Sequence, residues 1–122
     1  MATTKVRSPI SAAVVMTASA ANVTSTAIDL STGYGAQLSI QVTNGATGPT
    51  VAAQVQIQTA NDVAGTLFVN FGGALVASLT NLAVTNWSVD LPIGVERVRL
   101  ISGSNTGQPT TLDADISQVT AI

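Results

Sequence analysis

The sequence predicts an all-β protein: a single antiparallel β-sandwich, jelly-roll-like, of about eight strands, with an extended N-terminal arm. Three observations carry this. Apolar and polar residues alternate with period two in run after run. Turn signals built from Gly, Pro, Asn and Asp recur about every 8–12 residues. β-branched residues fill the runs, as a pleated, half-buried surface favours. The predicted division is an N-terminal arm or first strand over 1–26 and a β-sandwich domain over 27–122.

In chain order, Lys5 and Arg7 precede the apolar stretch around Ile10, Val14, Val15 and Met16, and Ala18-Ser19-Ala20 follows. This has the outline of a signal peptide, but Pro9, Ser11 and Thr17 interrupt the apolar part, so an arm is the better reading. Residues 27–30 form a short strand, and 31–35 its turn. Over 37–43, Leu38, Ile40 and Val42 share one face, while Gln37, Ser39, Gln41 and Thr43 share the other. Asn44-Gly45 and Gly48-Pro49 then break the run. Residues 51–60 repeat the scheme, with Ala53, Val55 and Ile57 against Gln54, Gln56 and Gln58. The two runs read as an antiparallel hairpin.

Residues 66–71 place Leu67, Val69 and Phe71 together and leave Phe68 out of phase, either as an exposed apolar side chain or in a strand buried on both faces. A short apolar run over 74–79 comes next. Over 86–91, Trp87, Val89 and Leu91 point inward. Pro92-Ile93-Gly94 is a turn. The run to Ile101 buries Val98 and Leu100 and shows Arg97 and Arg99 to water, and 103–107 is a loop. The last run buries Leu112, Ala114 and Ile116 and exposes Asp113 and Asp115.

Composition excludes several chemistries. Only 8% of residues are charged, against roughly 25% in ordinary domains. Ser, Thr, Asn and Gln supply the polar surface instead. The chain has no Cys and no His, which removes thiolate and histidine metal sites, cysteine nucleophiles, Ser-His-Asp triads and disulfides. Net charge is −2, and the cations are Lys5, Arg7, Arg97 and Arg99. That is no basic field for nucleic acid. No apolar run reaches the roughly 18 residues of a membrane span. Asp113 and Asp115, about 7 Å apart on one strand face, could serve a glycosidase or calcium. Two solvent-facing acids that blunt an edge are the stronger reading. The expectation is a protein that is not an enzyme, with no cofactor, no metal and no small-molecule substrate.

Candidate partner contacts are therefore few. Lys5, Arg7, Ile10, Val14, Val15 and Met16 lie in the arm, and Phe68 is the expected interface anchor. Arg97 and Arg99 either dock an acidic partner or neutralise Asp113 and Asp115, if the last two strands pair.

The phrases around Thr43-Asn44-Gly45, Val55-Gln56-Ile57-Gln58, Phe71-Gly72-Gly73 and Trp87-Ser88-Val89-Asp90-Leu91-Pro92-Ile93-Gly94 resemble small virion proteins of tailed bacteriophages. Val98-Arg99-Leu100-Ile101-Ser102-Gly103 and the closing Asp113-Ala114-Asp115-Ile116 fit the same style. Within that group the resemblance is to capsid decoration (cement) proteins. It implies a β-sandwich on the outer surface of the capsid, with the major capsid protein and other copies of the chain (a dimer or trimer) as partners. Lys5 and Arg7 would then meet acidic coat residues. No family site residue carries over. The alternatives are another virion part, such as a tail-tube, neck or fibre-base subunit, or a secreted carbohydrate-binding module presenting Trp87 or Tyr34.

Overall fold

The computed structural model describes residues 4–18 and 21–121. Ser19 and Ala20 of the signal-like outline lie outside the described residues. The described chain forms two antiparallel sheets. In the first, β1 (Thr4–Met16), β10 (Thr110–Ala121), β4 (Ala36–Asn44) and β8 (Val84–Leu91) stand in that order. In the second the order is β2 (Asn22–Thr24), β9 (Arg97–Gly103), β5 (Gln54–Ala60) and β6 (Phe68–Asn70). Two short strands complete it: β3 (Ile28–Asp29) beside β9 and β7 (Leu75–Val76) beside β5.

β2 and β3 both pair with β9, and β6 and β7 both pair with β5, so each couple acts as one interrupted strand. Eight strands then remain. They stand first-eighth-third-sixth in one sheet and second-seventh-fourth-fifth in the other. This is the jelly-roll order. The expected fold class is therefore the observed one.

Alternation fixes what each strand buries. Leu38, Ile40 and Val42 of β4 and Leu112, Ala114 and Ile116 of β10 form one core cluster with Val55 and Ile57 of β5 and Val98 and Leu100 of β9. Trp87 and Val89 of β8 pack against it, half-buried. The inward set on these strands is the one the period-two reading assigns.

The pairing of those strands differs from expectation in two places. Residues 37–43 and 51–60 are not a hairpin, because β4 lies in the first sheet and β5 in the second. The last two long strands also lie in different sheets, so Arg97 and Arg99 do not face Asp113 and Asp115 across a ladder. The physical reason is shared. Alternation tells which side chains point inward, and both sheets point inward to the same core.

Of the two forms expected for the N-terminal segment, residues 4–16 take the strand. β1 runs the length of β10, interrupted by register shifts after Thr4, Pro9 and Ser11. At the last shift Ala13 adopts φ 48°, and its N–H donates to Asp113 Oδ1 at 2.8 Å. The bulges turn Ile10 and Met16 into the core, where they are 8% and 0% exposed.

β5 and β6 form a hairpin whose loop is organised by Asp62. Its carboxylate accepts N–H bonds from Leu67 at 3.0 Å and from Thr66 at 3.2 Å, and a hydroxyl bond from Thr66 at 3.3 Å. The Leu67 bond, then those from Thr66, hold the Asp62 carboxyl below the ordinary carboxylate range. A depressed folded pKa adds stability above the unfolded value, and this is lost as pH falls through the folded value. Asp62→Asn is therefore expected to lower the melting temperature at neutral pH and to leave it unchanged in strong acid. Thermal melts of both proteins across that range check this, and a difference that grows toward acid would refute it.

Candidate functional site

The outward face of the first sheet is a shallow polar trough of about 500 Å³. Register builds it in rows. Asp113 stands beside Gln41, which stands beside Asn86. One step along, Asp115 stands beside Ser39, which stands beside Ser88. All six come from the polar half of the alternating pattern, so the pleat that buries the core also presents them. Asp113 accepts the Ala13 N–H. The side chains of Asp115, Ser39, Gln41, Asn86 and Ser88 have no hydrogen-bond partner among the described residues.

The outward face of the second sheet is closed on itself. Arg99 Nε donates to Gln58 Oε1 at 2.9 Å, and Gln58 Nε2 donates to Asn70 Oδ1 at 3.0 Å. The Arg99 guanidinium lies 4.0 Å from the centre of the Phe68 ring, a cation–π contact. Gln56 Nε2 donates to the carbonyls of Ile57 at 2.9 Å and Gly72 at 3.2 Å. These groups satisfy one another, whereas those of the trough are free to meet a ligand.

The ends of the sandwich carry a second feature. One end gathers the loops after β4, before β8 and after β9. There Leu79, Leu82 and Val84 are 53%, 70% and 51% exposed. The other end holds the β5–β6 and β8–β9 loops, where Val63, Leu67 and Ile93 are 103%, 71% and 66% exposed. Hydrogen bonds tie the loops of the first end together. Asn44 Nδ2 donates to the carbonyls of Ser78 at 2.8 Å and Thr80 at 2.9 Å, Gly48 N–H donates to Asn81 Oδ1 at 2.7 Å, and Leu82 N–H to the Gly45 carbonyl at 2.8 Å. Gly48 is held against the Leu79 carbonyl so closely that no Cβ fits.

The residues singled out in the sequence fall apart in space. Lys5 and Arg7 are exposed on β1, and Val15 is 56% exposed. Val14 is half-buried against the core. Ile10 and Met16 belong to the core and are not available as outward contacts. Phe68 is not the free anchor expected. It is half-buried beneath Arg99, while Leu67 and Val69 on either side are the exposed ones. The phase is the expected one, with Phe68 on the outward face beside Arg99 and Phe71 against the core, but β6 is the edge of its sheet, so Val69, opposite inward-facing Thr59, still lies 58% exposed. Arg97 stands opposite Asp29. Hydrogen bonds from the Ser31 hydroxyl and N–H, and then the Arg97 charge, hold the Asp29 carboxyl below the ordinary range. Tyr34 is 47% exposed, in the turn before β4. The loop residues at the two ends escaped sequence reasoning, since turn chemistry says nothing of which loops meet.

Among the described residues no group of three or more potential metal ligands occurs, and no helix is long and apolar enough to cross a membrane.

No protein-family profile matches the chain, and no curated protein matches it in sequence. Solved structures match it in fold. It is similar to the SPBc2 prophage-derived protein YomS at 15% identity and a TM-score of 0.53, covering 96% of each chain. It is similar to CBM29_1, a family 29 carbohydrate-binding module from Piromyces equi, at 11% identity and a TM-score of 0.55, covering 92% of this chain and 90% of that one. It is similar to VP2 of infectious bursal disease virus at 8% identity and a TM-score of 0.58, covering 95% of this chain. The chain spans only 32% of VP2, and 62% of the K3 adhesin domain of Lys-gingipain from Porphyromonas gingivalis, which it matches at 16% identity and a TM-score of 0.52. At these identities the likeness is one of fold: an antiparallel β-sandwich.

Proposed function

We propose that this chain is a structural protein of a tailed-bacteriophage virion: a head decoration (cement) protein on the outer surface of the capsid that bridges neighbouring copies of the major capsid protein. The reading involves no catalytic step. The observation that carries it is the pair of apolar ends. A bridging protein needs two separate contact surfaces, and Leu79, Leu82 and Val84 lie at the opposite end of the sandwich from Val63, Leu67 and Ile93. The low charge limits adhesion to nucleic acid. Whole-chain likeness in fold to a prophage-derived protein supports the same reading. A protein that binds only the assembled shell stabilises it by linkage, and repetition over the shell turns weak contacts into avidity. Lys5, Arg7 and Val15 remain candidates for coat contacts, as do Arg97 and a self-contact.

The test is binding of the purified chain to shells of its phage that lack it. Leu82→Asp and Ile93→Asp are each expected to reduce occupancy at least tenfold (about 1.4 kcal/mol), with melting temperatures unchanged. Leu82 already has φ 58°, a region Asp tolerates. Failure of the unaltered chain to bind shells, or full occupancy by both variants, ends the proposal.

A second reading, a carbohydrate-binding module, is favoured by the trough, where the unpaired amides of Gln41 and Asn86, the hydroxyls of Ser39 and Ser88 and the Asp115 carboxylate suit neutral sugar hydroxyls. Trp87 backs this face from the core side. Absence of shell binding together with a Trp87 fluorescence change on adding neutral oligosaccharides would select this reading.

A further inference from the structure

Of the sheet edges formed by the described residues, β8 alone is both long and unprotected. The opposite edge of the same sheet, β1, carries Pro9, three register shifts and the cations Lys5 and Arg7. These features discourage strand addition. The second sheet ends in strands of two and three residues. β8 pairs with β4 on one side and, among the described residues, with nothing on the other. It is regular over eight residues, with no Gly, Pro, Lys or Arg and a single acid, Asp90.

We propose that the free edge of β8 pairs antiparallel with β8 of a second copy, on a two-fold axis at Ser88, joining the two four-stranded sheets into one of eight strands. The inference specifies the self-contact and stands apart from shell binding, so a chain that dimerises and ignores shells would sustain it alone. Period two requires outward residues to face outward residues. With Ser88 on the axis, Asn86 opposes the partner's Asp90, and the amide donates to the carboxylate. Trp87 opposes the partner's Val89, an aromatic–β-branched pair of the kind that stabilises adjacent strands. Both are half-buried at the sandwich rim and gain cover. A parallel pairing in register would instead set Asp90 against Asp90. The contact is isologous, so it closes at two copies.

The chain has no Cys, which makes cross-linking clean. The full-length protein is expected to sediment as a dimer at about 100 μM, an affinity within the micromolar range. Ser88→Lys sets two ammonium groups face to face across the axis and is expected to weaken association at least tenfold with the melting temperature unchanged, because Ser88 is exposed. Ser88→Cys is expected to form a disulfide-linked dimer on mild oxidation, far faster than Gln56→Cys on the other sheet. A monomer or a trimer in sedimentation, dimerisation of Ser88→Lys as strong as that of the unaltered chain, or equal cross-linking of the two cysteine variants would each overturn the proposal.

Discussion

A chain that begins at Thr26 is expected not to fold. It loses β1, a strand of thirteen residues, ten of which pair with β10. It also loses Ile10 and Met16 from the core cluster. Removing one such side chain from a core costs about 2–5 kcal/mol, and a small domain has only about 5–15 kcal/mol in total. Two of them, together with the ladder and β2, exhaust that margin. The inner faces of Leu112, Ala114 and Ile116 would then line an open edge, and Asn105 would lose its acceptor on Met16. The readout is far-UV circular dichroism and amide dispersion of residues 26–122 beside the full chain. A cooperative melt in the truncated protein would show that the sandwich closes without β1. Met16→Ala, which leaves the ladder intact, is the milder companion and should melt at a lower temperature while remaining folded.

This expectation changes how contacts of the N-terminal segment are to be sought. As an arm, it could be removed and its partner watched for loss of binding. As a strand, its removal destroys the body that carries every other contact. Exposed side chains such as Lys5, Arg7 and Val15 must therefore be changed one at a time.

What was legible in the sequence follows from what alternation encodes. The inward set Leu38, Ile40 and Val42, its counterpart Leu112, Ala114 and Ile116, and the outward placing of Asp113 and Asp115 need only a period of two. Sheet membership needs more. The link from β4 to β5 looks like a hairpin turn because Asn44-Gly45 is a dipeptide that hairpin turns favour, yet it carries the chain across the core. Nothing local separates a turn that doubles back from one that changes sheet. The trough suffers from the same blindness. Its acids could be read, but the company of Gln41 and Asn86 depends on β10, β4 and β8 being neighbours. Phe68 keeps its outward phase, but alternation along one strand cannot tell that Arg99 of β9 lies over its ring.

Asn105 lies in the stretch 103–107, which sequence reading takes simply as a loop, and it is 0% exposed. Its Nδ2 donates to the carbonyls of Met16 and Gln108, both at 3.0 Å. It thereby fastens the end of β1 to the link between β9 and β10, where the chain passes from one sheet to the other. Asn105→Ala removes both donors and leaves two carbonyls without this partner. Each carbonyl so stranded costs about 1–3 kcal/mol, so a loss of about 2–4 kcal/mol is expected once partial relaxation is allowed. Asn44 plays the same part for β4 through the carbonyls of Ser78 and Thr80. The exposed Asn61, by contrast, should tolerate Ala within about 0.5 kcal/mol. Urea titrations of the Asn105→Ala and Asn61→Ala variants, with slopes compared as well as midpoints, measure this directly. If Asn105→Ala were no more damaging than Asn61→Ala, the loop would owe its place to the strands alone, and the buried amide would not be what joins the two sheets at this end.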